Sequence, residues 1–130
     1  MLFRSVFALT PGAEPAALRA VARASLAYRK RTQPLHAHSA GCVFQNPVPE
    51  RDRVPSDVPW SAGALIDRAG LKGAREGGAQ VSDLHANFIV THGAARAADV
   101  RRLIARCRDE VRRRFGVELR DEIVYLGDFE

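Results

Sequence analysis

The sequence predicts a small α+β domain, a mixed or antiparallel sheet packed with helices. Three observations carry this. The chain has 130 residues, 46% of them hydrophobic, which supports one modest core rather than two ordinary domains. Its β-forming and helical segments follow one another without a regular βαβ alternation. A long stretch near the C-terminus has one clean apolar stripe at helical spacing.

Residues 2–10, LFRSVFALT, are rich in β-formers and stop at Pro11-Gly12, which reads as a strand and a turn. Such a strand has no earlier partner in the chain and leaves an edge open to self-association. From Glu14 to about Lys30, a proline near the start and apolar residues at 18, 21, 22 and 26 predict a helix with one buried stripe. The stretch LHAHSAGCVFQNP reads as an extended segment closed by Asn46-Pro47. Four prolines and five charges in PVPERDRVPSDVP, residues 47–59, predict an irregular surface loop with little core content.

SAGALIDRAG predicts a short helix with Ser61 as N-cap and Gly70 as its end. Beyond it Gly70, Gly73, Gly77 and Gly78 punctuate short extended pieces, and NFIV reads as an apolar strand. The last helix spans Ala97 to Phe115, with Val100, Leu103, Ile104, Cys107, Val111 and Phe115 on one stripe and Gly116 as its stop. VELRDEIVYLG reads as a closing strand knotted by Arg120-Asp121-Glu122.

The formal net charge is +5, with 18 Arg against two Lys, Lys30 and Lys72. Arginine offers a planar fork of donors to anions, although a GC-rich genome explains the count itself more simply. The last helix carries Arg101, Arg102, Arg106, Arg108, Arg112, Arg113 and Arg114, interrupted by Asp99, Asp109 and Glu110 and without aromatic residues for base stacking. No nucleic-acid partner is expected from that pattern. No apolar run is long enough to cross a bilayer and the opening residues lack the order of a signal peptide, so no membrane partner and a cytoplasmic location are expected.

Two cysteines, Cys42 and Cys107, show neither disulfide nor zinc spacing and read as reduced thiols. Cys107 lies on the apolar stripe as a small buried hydrophobe. Cys42 follows a glycine at the head of a strand-like Val-Phe pair, where it is either a packed thiol or a group displayed for chemistry. His36 and His38, two apart on an extended segment, would share a face and a metal, but no third ligand of suitable spacing accompanies them. Gly77-Gly78 match neither the phosphate-binding loop nor the dinucleotide fingerprint, so no nucleotide cofactor site is expected in this chain. Glu122 is either an exposed strand carboxylate or a group projecting toward a cleft.

QPLHAHSAGCVFQNP, SAGALIDRAGLKGAREGGAQVSDLHANFIV and DVRRLIARCRDEVRRRFGVELRDEIVYLG, taken in order, resemble the carboxy-terminal part of the UDP-N-acetylenolpyruvoylglucosamine reductase family, MurB. The resemblance runs from about residue 2 to residue 127. It implies a flavoenzyme of peptidoglycan precursor synthesis, in which NADPH reduces FAD, the flavin gives a hydride to the enolpyruvyl double bond, and a protein group protonates the neighbouring carbon. Cys42 stands in Gly41-Cys42-Val43-Phe44-Gln45-Asn46-Pro47, where the family usually has a serine proton donor, and a thiol can serve the same end. Glu122 matches the family glutamate that polarises or hydrogen-bonds the enolpyruvyl carboxylate. Asn46 and His85 fall at positions contacting the diphosphate region of the UDP-sugar, with Lys30 a further candidate. Asp121 replaces a common proline, and the loop at 48–59 looks longer than in compact relatives.

The family's FAD-binding region, with its glycine-rich flavin loop, has no counterpart in these residues. The resemblance therefore assigns residues 1–12 to a remnant strand of that region and 13–130 to the substrate-binding domain. It implies that this chain alone, either a fragment or one half of a split enzyme, binds no flavin and is inactive without a FAD-binding half. The alternative expectation is a non-catalytic module that holds UDP-sugars or a protein partner.

Overall fold

A computed structural model describes residues 4–9 and 11–127, and the chain divides into two units, residues 1–31 and 32–130. In the first unit, helix α1 covers Pro15–Thr32. Pro15 opens it at the position where a missing N–H costs nothing, and Arg29, Lys30 and Arg31 lie in the last turn, where the helix dipole favours cations. The expected helix is present, but its stripe is not buried: Leu18, Val21 and Leu26 are exposed, because a single helix has no second element in its own unit to pack on. Residues 4–9 form neither helix nor strand, since a strand needs a hydrogen-bonding partner; residues 2, 3 and 10 of the expected strand lie outside the described residues.

The second unit holds β1 (His38–Cys42), α2 (Ala62–Arg68), β2 (Arg75–Glu76), β3 (Ala79–Val81), β4 (Phe88–Thr91) and α3 (Ala97–Phe115). The four strands form one sheet in the order β1-β4-β3-β2, every neighbouring pair antiparallel. Ser61 caps α2 as expected, its hydroxyl accepting from Ala64 N at 3.1 Å. Gly116, with φ of +68°, ends α3 in the left-handed conformation that glycine adopts without strain.

The core is made where α3 and α2 meet one face of the sheet. Leu103, Ile104, Cys107 and Val111 of α3 pack with Leu65 and Ile66 of α2, Val81 and Ile89 of the sheet, and Val43, Phe44, Val117 and Leu119. Cys107 sits among them as a buried hydrophobe, and burial pushes its thiol up to about 12. One acidic residue on α3 belongs to this assembly. Asp99 is buried, and its Oδ2 accepts from Arg96 N at 3.0 Å and from Gly78 N at 3.2 Å, so a single carboxylate caps the helix and holds the β2–β3 turn against it. Gly78 approaches so closely that an added Cβ would lie 2.6 Å from Ala95 Cα.

Two expectations fail here. The loop at 47–59 is irregular, but it contributes buried Val58 and buried Asp52. Burial alone would raise the Asp52 carboxyl; the Val48 amide, donating to Asp52 Oδ2 at 2.8 Å, and the Arg120 guanidinium at 2.7 Å hold it below the usual range instead. Residues 117–127 are not a regular strand, and only an isolated bridge joins Phe44 to Asp121. Its bonds run from Gln45 N to Arg120 O and from Glu122 N to Val43 O, both 2.8 Å, after which Asn46-Pro47 ends the pairing edge.

Leu103 is fully buried at the centre of α3. Leu103→Ala should lower unfolding stability by about 2–5 kcal/mol, read as a lower urea midpoint with an unchanged slope.

Candidate functional site

Cys42 ends β1 opposite Phe88 of β4, and the pairing shifts register between Ser39 and Cys42. Two residues of β1 thus oppose one of β4, with Gly41 in this bulge at φ of +87°, a value side chains rarely adopt. The bulge turns Cys42 to the side of Phe88, away from the α3-facing core, while the next residue, Val43, enters that core. The thiol is half-buried.

Glu122 is exposed, yet its backbone is fixed beside the thiol by the Glu122 N–H donating to Val43 O at 2.8 Å. The two groups interact. Burial pushes the Cys42 thiol up, and the charge of Glu122 pushes it further the same way, against a hydrogen bond from the Asn87 side chain that favours the thiolate. At neutral pH Cys42 is therefore a protonated acid rather than a thiolate nucleophile.

Asn87 was invisible in the sequence, hidden in the apolar-looking run NFIV. Its side chain is buried, accepts from Phe44 N at 2.9 Å and donates to Phe44 O at 2.8 Å, and its own carbonyl accepts from Val43 N at 2.9 Å. A polar residue beside a strand of apolar ones was the available signal.

His85 lies at the end of the β3–β4 connection, its ring edge-on to Phe88 with centroids 4.9 Å apart. Its Nδ1 accepts from Asn87 N at 3.2 Å, so the neutral ring carries its proton on Nε2. Burial, with Lys72 nearby, lowers its pKa and keeps it neutral. Ser61, Gly63, Asp67 and Lys72 line a cleft with it, and Gly63 leaves room for the ring: an added Cβ would lie 3.2 Å from His85 Cε1. Asn46 is exposed, with Oδ1 accepting from Ala62 N at 3.1 Å, which pins the start of α2 and leaves its NH2 for other contacts. Cys42, Glu122, Asn46 and His85 all belong to the second unit, and Glu122 is bonded to Val43, the residue next to Cys42. Lys30 belongs to the exposed last turn of α1 in the first unit.

Other candidates gain less. His36 lies in a turn before β1 begins at His38, so the two histidines do not share a strand face, and no group of three metal-ligating side chains occurs among the described residues. Six of the seven arginines of α3 are joined to carboxylates: Arg102 to Asp99, Arg106 to Glu76, Arg108 to Asp121, Arg112 to Asp109, and Arg113 and Arg114 to Glu110. Arg101 lies over the Tyr125 ring at 5.9 Å. The Gly77-Gly78 pair does not fit a flavin or nucleotide diphosphate, because the Gly78 N–H is already taken by the Asp99 carboxylate, which repels phosphate. Among the described residues no helix is long and apolar enough to cross a membrane.

Residues 33–126 match the family model for the UDP-N-acetylenolpyruvoylglucosamine reductase C-terminal domain. A reductase of that name from Trichormus variabilis is 42% identical over 127 residues, 98% of this chain and 35% of the relative. One from Syntrophobacter fumaroxidans is 52% identical over 105 residues, 81% of this chain and 28% of the relative. The crystal structure of the Thermus caldophilus reductase, MurB, is 44% identical with a TM-score of 0.57, covering 80% of this chain and 33% of that one. The chain spans about a third of the length of the curated relatives it matches.

Replacing Glu122 removes the charge that opposes thiolate formation. Glu122→Gln should therefore move the midpoint for iodoacetamide alkylation of Cys42 to lower pH, followed by peptide mass spectrometry; an unmoved midpoint would show that the two groups do not communicate.

Proposed function

The chain belongs to the UDP-N-acetylenolpyruvoylglucosamine reductase family and carries its C-terminal domain, and from that premise we propose that it binds the UDP-sugar and protonates the reduced enolpyruvyl group to give UDP-N-acetylmuramate. The observation that carries this reading is the Val43–Glu122 backbone bond, which brings Glu122 to the residue next to Cys42. It sets a carboxylate beside a half-buried thiol that both burial and that charge keep protonated.

The family chemistry draws its hydride from a flavin reduced by NADPH, and we assign that cofactor's site to a region other than these residues. The protein's own contribution is the proton. Cys42 Sγ–H gives its proton to the carbon that carries the developing negative charge; the C–H bond forms, the S–H bond breaks, and the thiolate left beside Glu122 takes a proton back from water. Burial of the thiol favours this acid over attack by a thiolate. A neutral His85 offers Nε2–H, and Asn46 offers its NH2, both donors suited to diphosphate oxygens. We assign residues 1–12 to the flavin-binding region, and Lys30, on the basic end of α1, is kept as a candidate anion-binding residue of its own unit.

The test supplies a flavin-binding region from a relative and follows NADPH oxidation dependent on the enolpyruvyl UDP-sugar. Cys42→Ser should retain substantial turnover and Cys42→Ala should lose about 10²- to 10⁴-fold. Equal rates for the two variants would remove Cys42 from the chemistry. Binding of the UDP-sugar by calorimetry with no turnover after complementation would leave a non-catalytic binding module.

The alkaline side of the pH–rate profile has a definite sign. The donor must be protonated, so turnover should fall as pH rises through the elevated Cys42 pKa, and the fall should be absent in Cys42→Ser, whose hydroxyl does not titrate there.

A further inference from the structure

We propose that Asn87 is the positioning residue of the proton donor, clamping the Cys42–Phe44 loop to β4 and joining it to the imidazole of His85. This rests on the reading of Cys42 as the donor. The donor loop follows a bulge with a left-handed glycine, so its direction is not set by the regular ladder. Asn87 sets it instead. Three bonds of 2.8–2.9 Å from one buried residue, two through its side-chain amide and one through its carbonyl, fix both polar groups of Phe44 and the amide of Val43, the residue next to the donor.

The same side chain favours the Cys42 thiolate that proton transfer leaves behind. Its backbone N–H donates to His85 Nδ1, which turns the other ring nitrogen outward as a donor. Asn87 thus links the loop that follows the acid to the imidazole of His85 through bonds it makes simultaneously. Glu122, next to the loop on the opposite edge, acts on the thiol in the contrary sense. The two neighbours bracket the acidity of Cys42.

Alkylation of the 130-residue chain by iodoacetamide across pH tests this, with Cys42 and Cys107 followed separately; Cys107 reports unfolding because it is buried in the fold. Asn87→Ala should move the Cys42 midpoint to higher pH. Reconstituted with a flavin-binding region, it should lower kcat by about 10- to 100-fold while KM changes by less than about twofold, as a displaced acid would. An unmoved midpoint with an unchanged kcat overturns the proposal. If Cys107 becomes reactive in that variant, the unmutated chain decides: one Asn87 side-chain amide proton should titrate with Cys42 in NMR spectra and stop titrating in Cys42→Ala, and a flat response in both overturns the proposal. Normal turnover by Cys42→Ala would sink the donor reading alone, since the midpoint shift in Asn87→Ala does not depend on activity.

Discussion

Residues 43–45 are held from both edges, and the arrangement of the second unit depends on this double hold. On one side Asn87 takes the amide and carbonyl of Phe44; on the other, Val43 O and Gln45 N pair with Glu122 and Arg120. Both backbone groups of Val43 and of Phe44 are thereby paired and none is left to seek water, which is the condition for these two residues to enter the core. The C-terminal segment, otherwise irregular, gains its only bridge among the described residues here, and the candidate acid and its neighbouring carboxylate come to adjacent places through the same bonds. Shape and chemistry share one set of hydrogen bonds.

Charge is distributed as unevenly as the packing. Residues 1–32 hold six basic residues against Glu14, whereas the remaining 98 residues hold 14 of each sign, so the net +5 resides entirely in the first segment. In the second unit the arginines of α3 are matched by carboxylates on α3 itself, on β2 and on the C-terminal segment. The abundance of arginine there reflects surface pairing, each exposed pair adding little to stability. Asp52 with Arg120 is different in kind, because it crosses from the proline-rich loop to the C-terminal segment with the carboxylate buried.

The helices were legible because the 3.6-residue period of a buried stripe survives in one sequence; α3 lies where the spacing of Leu103, Ile104, Cys107 and Val111 put it. The sheet was legible only as a class. Its order depends on contacts between residues far apart, such as His38 with Thr91, that periodicity does not encode. The C-terminal strand failed because its apolar residues, Val124 and Leu126, are exposed, and pairing stops at one bridge. The burial of α1 failed because a stripe states which face is apolar and not whether anything covers it. At the site, Cys42 and Glu122 came from family resemblance, since composition left each ambiguous. Asn87 came from neither, because its role is defined by the backbone groups it reaches.

The bulge before Cys42 makes chain length matter more than side-chain identity at this point. A serine and a cysteine can exchange at position 42 with the same reach, but an unbroken ladder of the same residues, without the bulge, would set residue 42 opposite Asn87 instead of Phe88. The acid would then face the core and Val43 would be turned outward, exchanging a displayed group for a buried one without changing a single side chain. The extra residue of the bulge thus decides which side of the sheet the acid faces, an outcome set by the two-residue period of the strand and not by the chemistry it presents.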